Sequence, residues 1–201
     1  MKLTKLLERL DYKVVAGSDN IEITELVNDS RKVVPGSVFV CISGAVSDGH
    51  QYVKDVAEKG AAAVIVEKDV EVPEGLTVIK VEDTRYALAL MSAAYFGYPA
   101  EKLKTIGITG TKGKTTTTYM VKAILEEVGH KVGLIGTIEA IIGDKTIPSN
   151  NTTPESYTIQ KYFAQMVEAG CDCVVMEVSS QGLMLHRTAG IMFDIGIFTN
   201  L

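Results

Sequence analysis

The hydrophobic positions in the first half of the chain switch between helical and strand-like spacing. Leu3, Leu6, Leu7 and Leu10 recur at helical spacing and predict a short amphipathic helix. Apolar runs at 21–27, 38–42, 61–67 and 77–81 predict strands, and the segments 52–59 and 83–98 predict helices. The run AAAVIVE is apolar throughout, which is typical of a strand covered on both faces. Because Pro99 breaks the last of these helices, we place a domain boundary there.

From residue 99 onward the pattern restarts as a strand, a glycine turn and a helix. The strand is predicted at 104–109 and the helix at 115–129, with Gly129 at its C-terminus. The segments that follow predict a strand at 131–136, a hairpin across 138–147, a helix of about fifteen residues from Glu155, and two buried parallel strands at 171–180 and 193–201. Strands that alternate with helices indicate an α/β fold whose sheet is built from right-handed crossovers. We therefore predict two α/β domains, residues 1–98 and 99–201, the second with a mainly parallel sheet.

Composition narrows the class of protein. The 201 residues are 46% hydrophobic, enough for one large core or two small ones. The net charge of -5 argues against nucleic acid as a partner, so any phosphate site must be local. Charges interrupt the N-terminal segment and no run reaches membrane-spanning length, so we expect a cytoplasmic protein without membrane insertion. The cysteines Cys41, Cys171 and Cys173 stand in apolar surroundings and predict packed, reduced thiols.

Residues 107–116 read GITGTKGKTT and lie between a predicted strand and a predicted helix. In a phosphate loop, glycines let backbone N–H groups converge on phosphate oxygens, a lysine reaches the terminal phosphates and a threonine hydroxyl binds Mg²⁺. These roles fall to Gly110, Gly113, Lys114 and Thr115. The general pattern has glycine where this chain has Ile108. A flexible basic turn is the alternative, and the strand, loop and helix context favours the phosphate loop.

Glu177 lies at the end of the apolar strand CVVM. A carboxylate buried in such a place is costly unless it is paired or bound to a metal. We therefore predict that Glu177 is a magnesium ligand. An ion pair with a lysine or arginine of the core is the alternative that the sequence leaves open.

Four stretches carry a resemblance to a known family. TGTKGKTT at 109–116 resembles the nucleotide loop of the Mur ligases and of their folylpolyglutamate synthase relatives, which form amide bonds with ATP. The segments at 28–50, 151–155 and 176–187 resemble further Mur ligase signatures, in particular those of the branch that adds the third amino acid of the muramyl peptide. The four stretches span nearly the whole chain in family order. Because the folylpolyglutamate relatives lack the first domain, the segment 28–50 favours the Mur ligases.

The resemblance implies an ATP-dependent amide ligase of peptidoglycan precursor synthesis. Such an enzyme adds meso-diaminopimelate or L-lysine to UDP-N-acetylmuramoyl-L-alanyl-D-glutamate through an acyl phosphate. It implies ATP and Mg²⁺ as cofactors, and the UDP-N-acetylmuramoyl dipeptide and an amino acid as small-molecule substrates. The sequence leaves the oligomeric state open, with a monomer favoured. Residues 1–98 would bind the UDP-muramyl substrate, and residues 99–201 would form the first part of the ATP-binding central domain. The family's carboxylated lysine, a histidine and its C-terminal domain have no counterpart in 1–201, so we expect a truncated chain that does not turn over alone.

The resemblance also implies roles for individual residues. The ATP-binding residues would be Gly110, Thr111, Lys112, Gly113, Lys114, Thr115 and Thr116, with Lys114 and Glu177 catalytic and with Thr115 and Glu177 holding Mg²⁺. The substrate-binding residues would be Asn28, Ser30, Ala45, Val46, Ser47, Asn151, Thr152, Thr153, Ser179 and Arg187. Gln181 departs from the family, where histidine is common, and receives no role.

Plainer interpretations of these residues stay open. A threonine of 151–153 could merely cap a helix, and Arg187 could be a solvated surface group. Asp29 and Arg31 could pair across a turn, and His50 is more often structural than catalytic in such a place. For the whole chain, the alternatives are a noncatalytic module that binds UDP-sugars or ATP and a ligase like folylpolyglutamate synthase. A P-loop kinase or GTPase is disfavoured, because the chain has no Asn-Lys-x-Asp motif and the first hundred residues would be unexplained.

Overall fold

The computed structural model describes residues 1–44 and 47–201. The chain forms two compact units, Met1–Tyr95 and Phe96–Leu201, each built around a sheet of its own. Among the described residues, no helix has the length and apolar character needed to cross a bilayer. Both units mix helices with mostly parallel strands, so the α/β prediction is confirmed.

The first unit has a five-stranded sheet in the order β1-β5-β4-β3-β2. Its elements are α1 (Leu3–Leu6), β1 (Lys13–Ala16), β2 (Leu26–Val27), β3 (Val38–Val40), α2 (Val53–Glu58), β4 (Ala63–Val66), β5 (Thr77–Lys80) and α3 (Thr84–Tyr95). Only β1 runs antiparallel, to β5. Short 3₁₀ helices at Ser30–Lys32 and Gly49–Tyr52 follow the ends of β2 and β3. The polar segments predicted to bind the substrate therefore lie at the carboxyl ends of neighbouring parallel strands.

The first unit differs from the predicted elements at three places. Leu3, Leu6 and Leu7 are all buried against the body of the unit, but the helix ends at Leu6. The apolar run 21–27 yields a strand only at Leu26–Val27. The strand β1 was not predicted, because its two central valines lie on an outer strand and are partly exposed.

The second unit has a six-stranded sheet in the order β11-β6-β10-β7-β8-β9. Its elements are β6 (Lys104–Thr109), α4 (Lys114–Glu127), β7 (Val132–Ile135), β8 (Glu139–Ile142), β9 (Lys145–Pro148), α5 (Ser156–Glu168), β10 (Cys173–Glu177), α6 (Ser180–Met184) and β11 (Ile195–Phe198). Strands β11, β6, β10 and β7 are parallel, and β8 and β9 form the predicted antiparallel hairpin. A 3₁₀ helix at Pro99–Lys102 precedes β6.

The register of the parallel strands brings their carboxyl ends to one edge. Glu177 at the end of β10 is level with Ile108 of β6, and Phe198 at the end of β11 is level with Thr109. Met176 is level with Ile135, the last residue of β7. The segments that follow β6, β7, β10 and β11 therefore meet at this edge, which is where open parallel sheets bind ligands.

The prediction of two buried parallel strands was half wrong. Strand β10 is buried along its whole length, with neighbours on both sides. Strand β11 is parallel but forms the outer strand of the sheet, and Ile195 and Phe198 are 53% and 61% exposed. The apolar character of β11 resembles that of β10, but its burial depends on strand order, which the sequence does not reveal.

All three cysteines are free thiols and are buried, as predicted. Cys171 packs with the core cluster that contains Phe163, on the α5 side of the sheet. Cys173 packs with the cluster that contains Val121 and Leu125 of α4. Burial raises the pKa of the Cys173 thiol, and the nearby Asp172 carboxylate raises it further. These surroundings favour the neutral thiol, which suits packing.

Candidate functional site

The predicted phosphate loop joins the end of β6 to the start of α4. Gly110 and Gly113 both adopt positive φ, at 134° and 82°, a conformation that favours glycine. Gly113 is the N-cap residue of α4 and provides no side chain to cap it. The first N–H groups of an α-helix have no partner within the helix, and the helix dipole adds positive potential there. The loop therefore presents an uncapped helix N-terminus, a geometry that suits a phosphate group.

Lys114 folds back across this loop. Its ammonium group donates to the carbonyl oxygen of Gly110 at 2.7 Å and lies 3.4 Å from that of Thr111. The side chain is half-buried and holds its charge over the glycine turn. A cation in this position can interact with the terminal phosphates of a nucleotide bound to the loop.

Two residues that were not predicted hold the loop from the side of β11. The side chain of Asn200 accepts from the N–H of Lys112 and donates to its carbonyl oxygen, both at 3.1 Å. The hydroxyl of Thr199 donates to the same carbonyl oxygen at 2.7 Å. A Cβ at Gly110 would overlap the Thr199 side chain, which explains the glycine there. Both residues directly follow the parallel strand β11, and this position in the sequence could have identified them as candidate site residues.

Glu177 is 1% exposed and faces the first turn of α4. Its Oε2 accepts from the hydroxyl of Thr115 at 3.1 Å. Thr137, which follows β7, donates its N–H to Oε1 at 2.8 Å and its hydroxyl to Oε2 at 3.0 Å. Within residues 1–44 and 47–201, Glu177 forms no ion pair with a lysine or arginine, so that alternative does not describe its surroundings.

The donor set around Glu177 fits a hard divalent cation. A carboxylate and a threonine hydroxyl supply oxygen ligands, and Mg²⁺ prefers oxygen and usually retains several waters. Gly136 leaves the space that the carboxylate occupies, since a Cβ there would lie 2.6 Å from Oε1. Thr115 and Glu177 would hold the ion, next to the loop that carries Lys114.

The predicted substrate loop 151–155 is tied to the end of β10. Thr153 is 1% exposed, and its hydroxyl donates to the carbonyl oxygen of Glu177 at 3.0 Å and accepts from the N–H of Ser179 at 2.9 Å. Thr152 is only half-buried, and its hydroxyl lies 3.0 Å from that of Thr137. Asn151 is exposed at the mouth of a small cavity. Of the three residues, Asn151 and Thr152 remain reachable from solvent, whereas the Thr153 hydroxyl is fully engaged.

Ser179 and Arg187 complete this cluster. The Ser179 hydroxyl accepts from the N–H of Gly182 at 3.0 Å and caps α6. Arg187 donates to the carbonyl oxygen of Thr153 at 2.9 Å and to the Glu155 carboxylate at 2.5 Å, and its side chain is 14% exposed. Arg187 is therefore a half-buried link between the segment after α6 and the loop 151–155, and the interpretation as a solvated surface group is wrong.

In the first unit, three of the predicted substrate residues line one cavity of about 680 Å³. These residues are Asn28, Ser30 and Ser47, and the cavity also includes Arg31, Lys32 and Tyr52. Ala45 and Val46 lie outside the described residues. The cavity is polar: it is lined by hydroxyl and amide groups, by Lys32 and by the ion pair of Arg31 with Asp29, which suits a polar ligand that includes a diphosphate.

The plainer interpretations of the Asp29–Arg31 pair and of His50 are correct. Arg31 donates to both carboxylate oxygens of Asp29, at 2.8 and 2.9 Å. Hydrogen bonds from Arg31 lower the pKa of Asp29 to about 2. His50 is structural, because its Nε2 accepts from the N–H of Glu67 at 3.1 Å while its Nδ1 donates to Asp48 at 2.6 Å. Both pairs fix turns at the edge of the cavity.

Comparison with known proteins identifies the class. The family model of the Mur ligase middle domain matches residues 108–201, and the model described as "Mur ligase family, catalytic domain" matches residues 22–96. The chain therefore belongs to the Mur ligase family, and its phosphate loop, Glu177 and Arg187 lie in the part that matches the middle domain.

Particular relatives are similar over the whole chain. The chain is 51% identical over 201 residues to the UDP-N-acetylmuramoyl-L-alanyl-D-glutamate--2,6-diaminopimelate ligase of Clostridium perfringens (strain 13 / Type A). It covers 42% of the length of that protein. Identity to the ligase of the same name from Clostridioides difficile (strain 630) is 49%, with 41% of it covered. The chain thus spans about two-fifths of the length of these relatives. A solved structure of a ligase of that name matches this chain with a TM-score of 0.81 and 22% sequence identity. The match covers all of this chain and 40% of the solved chain, and it supports the assigned fold.

Proposed function

We propose that this chain forms the UDP-muramyl-substrate-binding and nucleotide-binding parts of an ATP-dependent ligase of peptidoglycan precursor synthesis. The reaction would join an amino acid to UDP-N-acetylmuramoyl-L-alanyl-D-glutamate through an acyl phosphate. The observation that carries the proposal is the 3.1 Å contact between Thr115 and Glu177, which joins a phosphate loop to a buried carboxylate. The names of the relatives support 2,6-diaminopimelate as the amino acid, a choice that the sequence alone left open between diaminopimelate and lysine.

The residues of the second unit would act mainly by position and charge. The N–H groups of Gly113 to Thr116 would bind phosphate oxygens of ATP, and Lys114 would leave the Gly110 carbonyl to neutralise the terminal phosphates. Thr115 and Glu177 would hold Mg²⁺, which when bound supplies positive charge to the transferring phosphoryl group. Such phosphoryl transfer needs positioning and electrostatic stabilisation, and this site offers both.

The remaining polar residues would bind the muramyl substrate. Asn28, Ser30 and Ser47 would contact the uridine diphosphate in the cavity of the first unit, together with Ala45 and Val46. Asn151 and Thr152 would face the peptide part, while Thr153, Ser179 and Arg187 hold the loop that presents them. Because both proposed ligands are soluble nucleotides, we further propose that the protein is cytoplasmic.

Calorimetry on the 201-residue chain tests the proposal. The chain should bind Mg²⁺·ATP and, separately, UDP-N-acetylmuramoyl-L-alanyl-D-glutamate. Lys114→Met should weaken Mg²⁺·ATP binding by about tenfold or more, because a charge-assisted contact to phosphate is lost. The matched control is Lys161→Met, which removes an exposed lysine of helix α5 in the same unit, away from the phosphate loop. Equal affinities of the two variants for Mg²⁺·ATP would contradict the proposed nucleotide site.

A second measurement separates a ligase from a noncatalytic binding module. Phosphate release is followed with Mg²⁺·ATP, the UDP-muramyl dipeptide and 2,6-diaminopimelate present together. We expect both ligands to bind without phosphate release by the 201 residues alone. Binding of only one of the two ligands would favour the noncatalytic module. Brisk phosphate release would show that the further family elements are not required.

A further inference from the structure

Among the residues that the structure describes, Thr137 donates two hydrogen bonds to the Glu177 carboxylate and Thr115 donates one. Thr137 follows Gly136 at the end of β7 and donates to both carboxylate oxygens, from its N–H at 2.8 Å and from its hydroxyl at 3.0 Å. The two donors fix the plane of the carboxylate as well as its position. The side chain itself is exposed, so it lies at the open side of the site rather than in the core.

Thr137 also contacts the predicted substrate loop. Its hydroxyl oxygen lies 3.0 Å from the hydroxyl of Thr152. A hydroxyl has one proton to donate and can accept from another group. If Thr137 donates to Glu177, it accepts from Thr152, so one chain of hydrogen bonds runs from the loop 151–155 to the carboxylate.

The two threonines on Glu177 have different tasks. The Thr115 hydroxyl donates to Glu177 and is itself a proposed ligand of Mg²⁺. Both donors of Thr137 point at the carboxylate and lie on a different strand end. Groups that hydrogen-bond a metal-ligating carboxylate set its orientation, and their loss commonly weakens metal binding.

We propose that Thr137 is a positioning residue that orients Glu177 for Mg²⁺ and links it to the loop of Thr152. This inference rests on the proposed metal role of Glu177. It adds a residue to which the sequence assigned no role. Thr137→Val removes the hydroxyl at nearly constant volume but keeps the N–H donor, and Thr137→Ser keeps both. Thr146→Val, on the exposed strand β9, is the matched control for a threonine to valine change in the same unit.

The first test needs no ligand. Urea unfolding of the 201-residue chain is measured for Thr137→Val, Glu177→Ala and the double variant. If the hydroxyl holds the carboxylate, the double variant should lose less stability than the two single variants together, because their shared contact is counted once. Strictly additive losses would overturn the proposal, whatever the chain binds.

The second test measures the Mg²⁺ concentration that half-saturates ATP binding at a fixed ATP concentration. Thr137→Val should raise this concentration by about tenfold, while Thr137→Ser and Thr146→Val should remain close to the unmodified chain. In the presence of EDTA, Thr137→Val and the unmodified chain should bind ATP with similar affinity. This comparison separates an effect on metal binding from a folding defect. An unchanged Mg²⁺ requirement in Thr137→Val would overturn the positioning role.

The two tests separate failure of this inference from failure of the proposed function. If the unmodified chain binds no Mg²⁺·ATP, the proposed function has failed for this chain. The unfolding cycle then decides alone whether Thr137 holds Glu177. If the chain binds Mg²⁺·ATP and both tests give the expected result, the inference and the nucleotide site are supported together.

Discussion

Thr153 donates its hydroxyl hydrogen bond to the carbonyl oxygen of Glu177, at 3.0 Å, from a fully buried position. The same hydroxyl accepts from the N–H of Ser179 at 2.9 Å. One side chain thus satisfies the main chain on both sides of Val178, where β10 ends and the segment leading to α6 begins. The orientation of the Glu177 side chain depends on this main chain, so Thr153 contributes to the site without contacting a ligand.

Replacement of Thr153 tests this relationship. Thr153→Val should lower the free energy of unfolding by about 1–3 kcal/mol, because the Glu177 carbonyl and the Ser179 N–H both lose their side-chain partner. Thr153→Ser keeps the hydroxyl and should lose less. Urea titration followed by circular dichroism measures both variants. If valine proves as stable as serine at this position, the hydroxyl does not hold the end of β10.

Gly136 provides a second test of the packing around Glu177. A Cβ at this position would lie 2.6 Å from Oε1, so Gly136→Ala should displace the carboxylate. We expect a loss of about 1–3 kcal/mol in the free energy of unfolding and weaker Mg²⁺-dependent ATP binding. Gly196→Ala is the matched control, because nothing lies within 4 Å of a Cβ there. Equal effects of the two variants would contradict a close fit of the carboxylate against Gly136.

The parts of the site that were predicted from sequence are encoded locally. The spacing of Gly110, Gly113 and Lys114 between a strand and a helix determines the shape of the phosphate loop. The position of Glu177 directly after an apolar run places it at a strand end, and the parallel sheet then brings it to Thr115. Both inferences need only the order of elements and the rule that parallel strands end at one edge.

The parts that were missed depend on contacts between distant segments. Asn200 and Thr137 reach the loop and the carboxylate from 88 and 40 residues away in sequence, and both look like ordinary loop residues. The buried position of Thr153 and the half-buried position of Arg187 likewise result from the packing of the segment 179–187 against the loop 151–155. Neither the spacing of hydrophobic residues nor the residue types in turns reveals which distant segments come into contact.

The loop contact of Asn200 is testable at single-residue resolution. Asn200→Ala removes the acceptor of the Lys112 N–H but leaves the main-chain carbonyl that accepts from the Thr111 N–H at 3.1 Å. Amide exchange of Lys112 should accelerate by about fivefold or more, corresponding to about 1 kcal/mol, while that of Thr111 changes little. Hydrogen exchange followed by NMR measures both amides. Asn150→Ala, at an exposed position, should alter neither rate.

The stability of the turn at 48–50, beside the cavity of the first unit, should decrease at acid pH. Asp48 accepts from Lys68 at 2.6 Å and from both the ring and the N–H of His50, and these hydrogen bonds hold the pKa of its carboxyl well below the usual range. The folded-state pKa therefore lies below the unfolded value of about 3.9, so the stabilisation is complete above that value and is lost as the pH falls toward the folded pKa. Asp48→Asn should lower the urea midpoint at neutral pH.

The dependence on pH distinguishes this network from an ordinary surface pair. In the unmodified chain the urea midpoint should fall as the pH drops below about 4, and Asp48→Asn should flatten that fall because its side chain does not titrate. Asp69→Asn is the control, since Asp69 pairs with Lys80 while remaining 95% exposed, and solvent screens such pairs. If Asp48→Asn and the unmodified chain show parallel acid profiles, the hydrogen bonds to Asp48 do not stabilise the turn that bears Ser47.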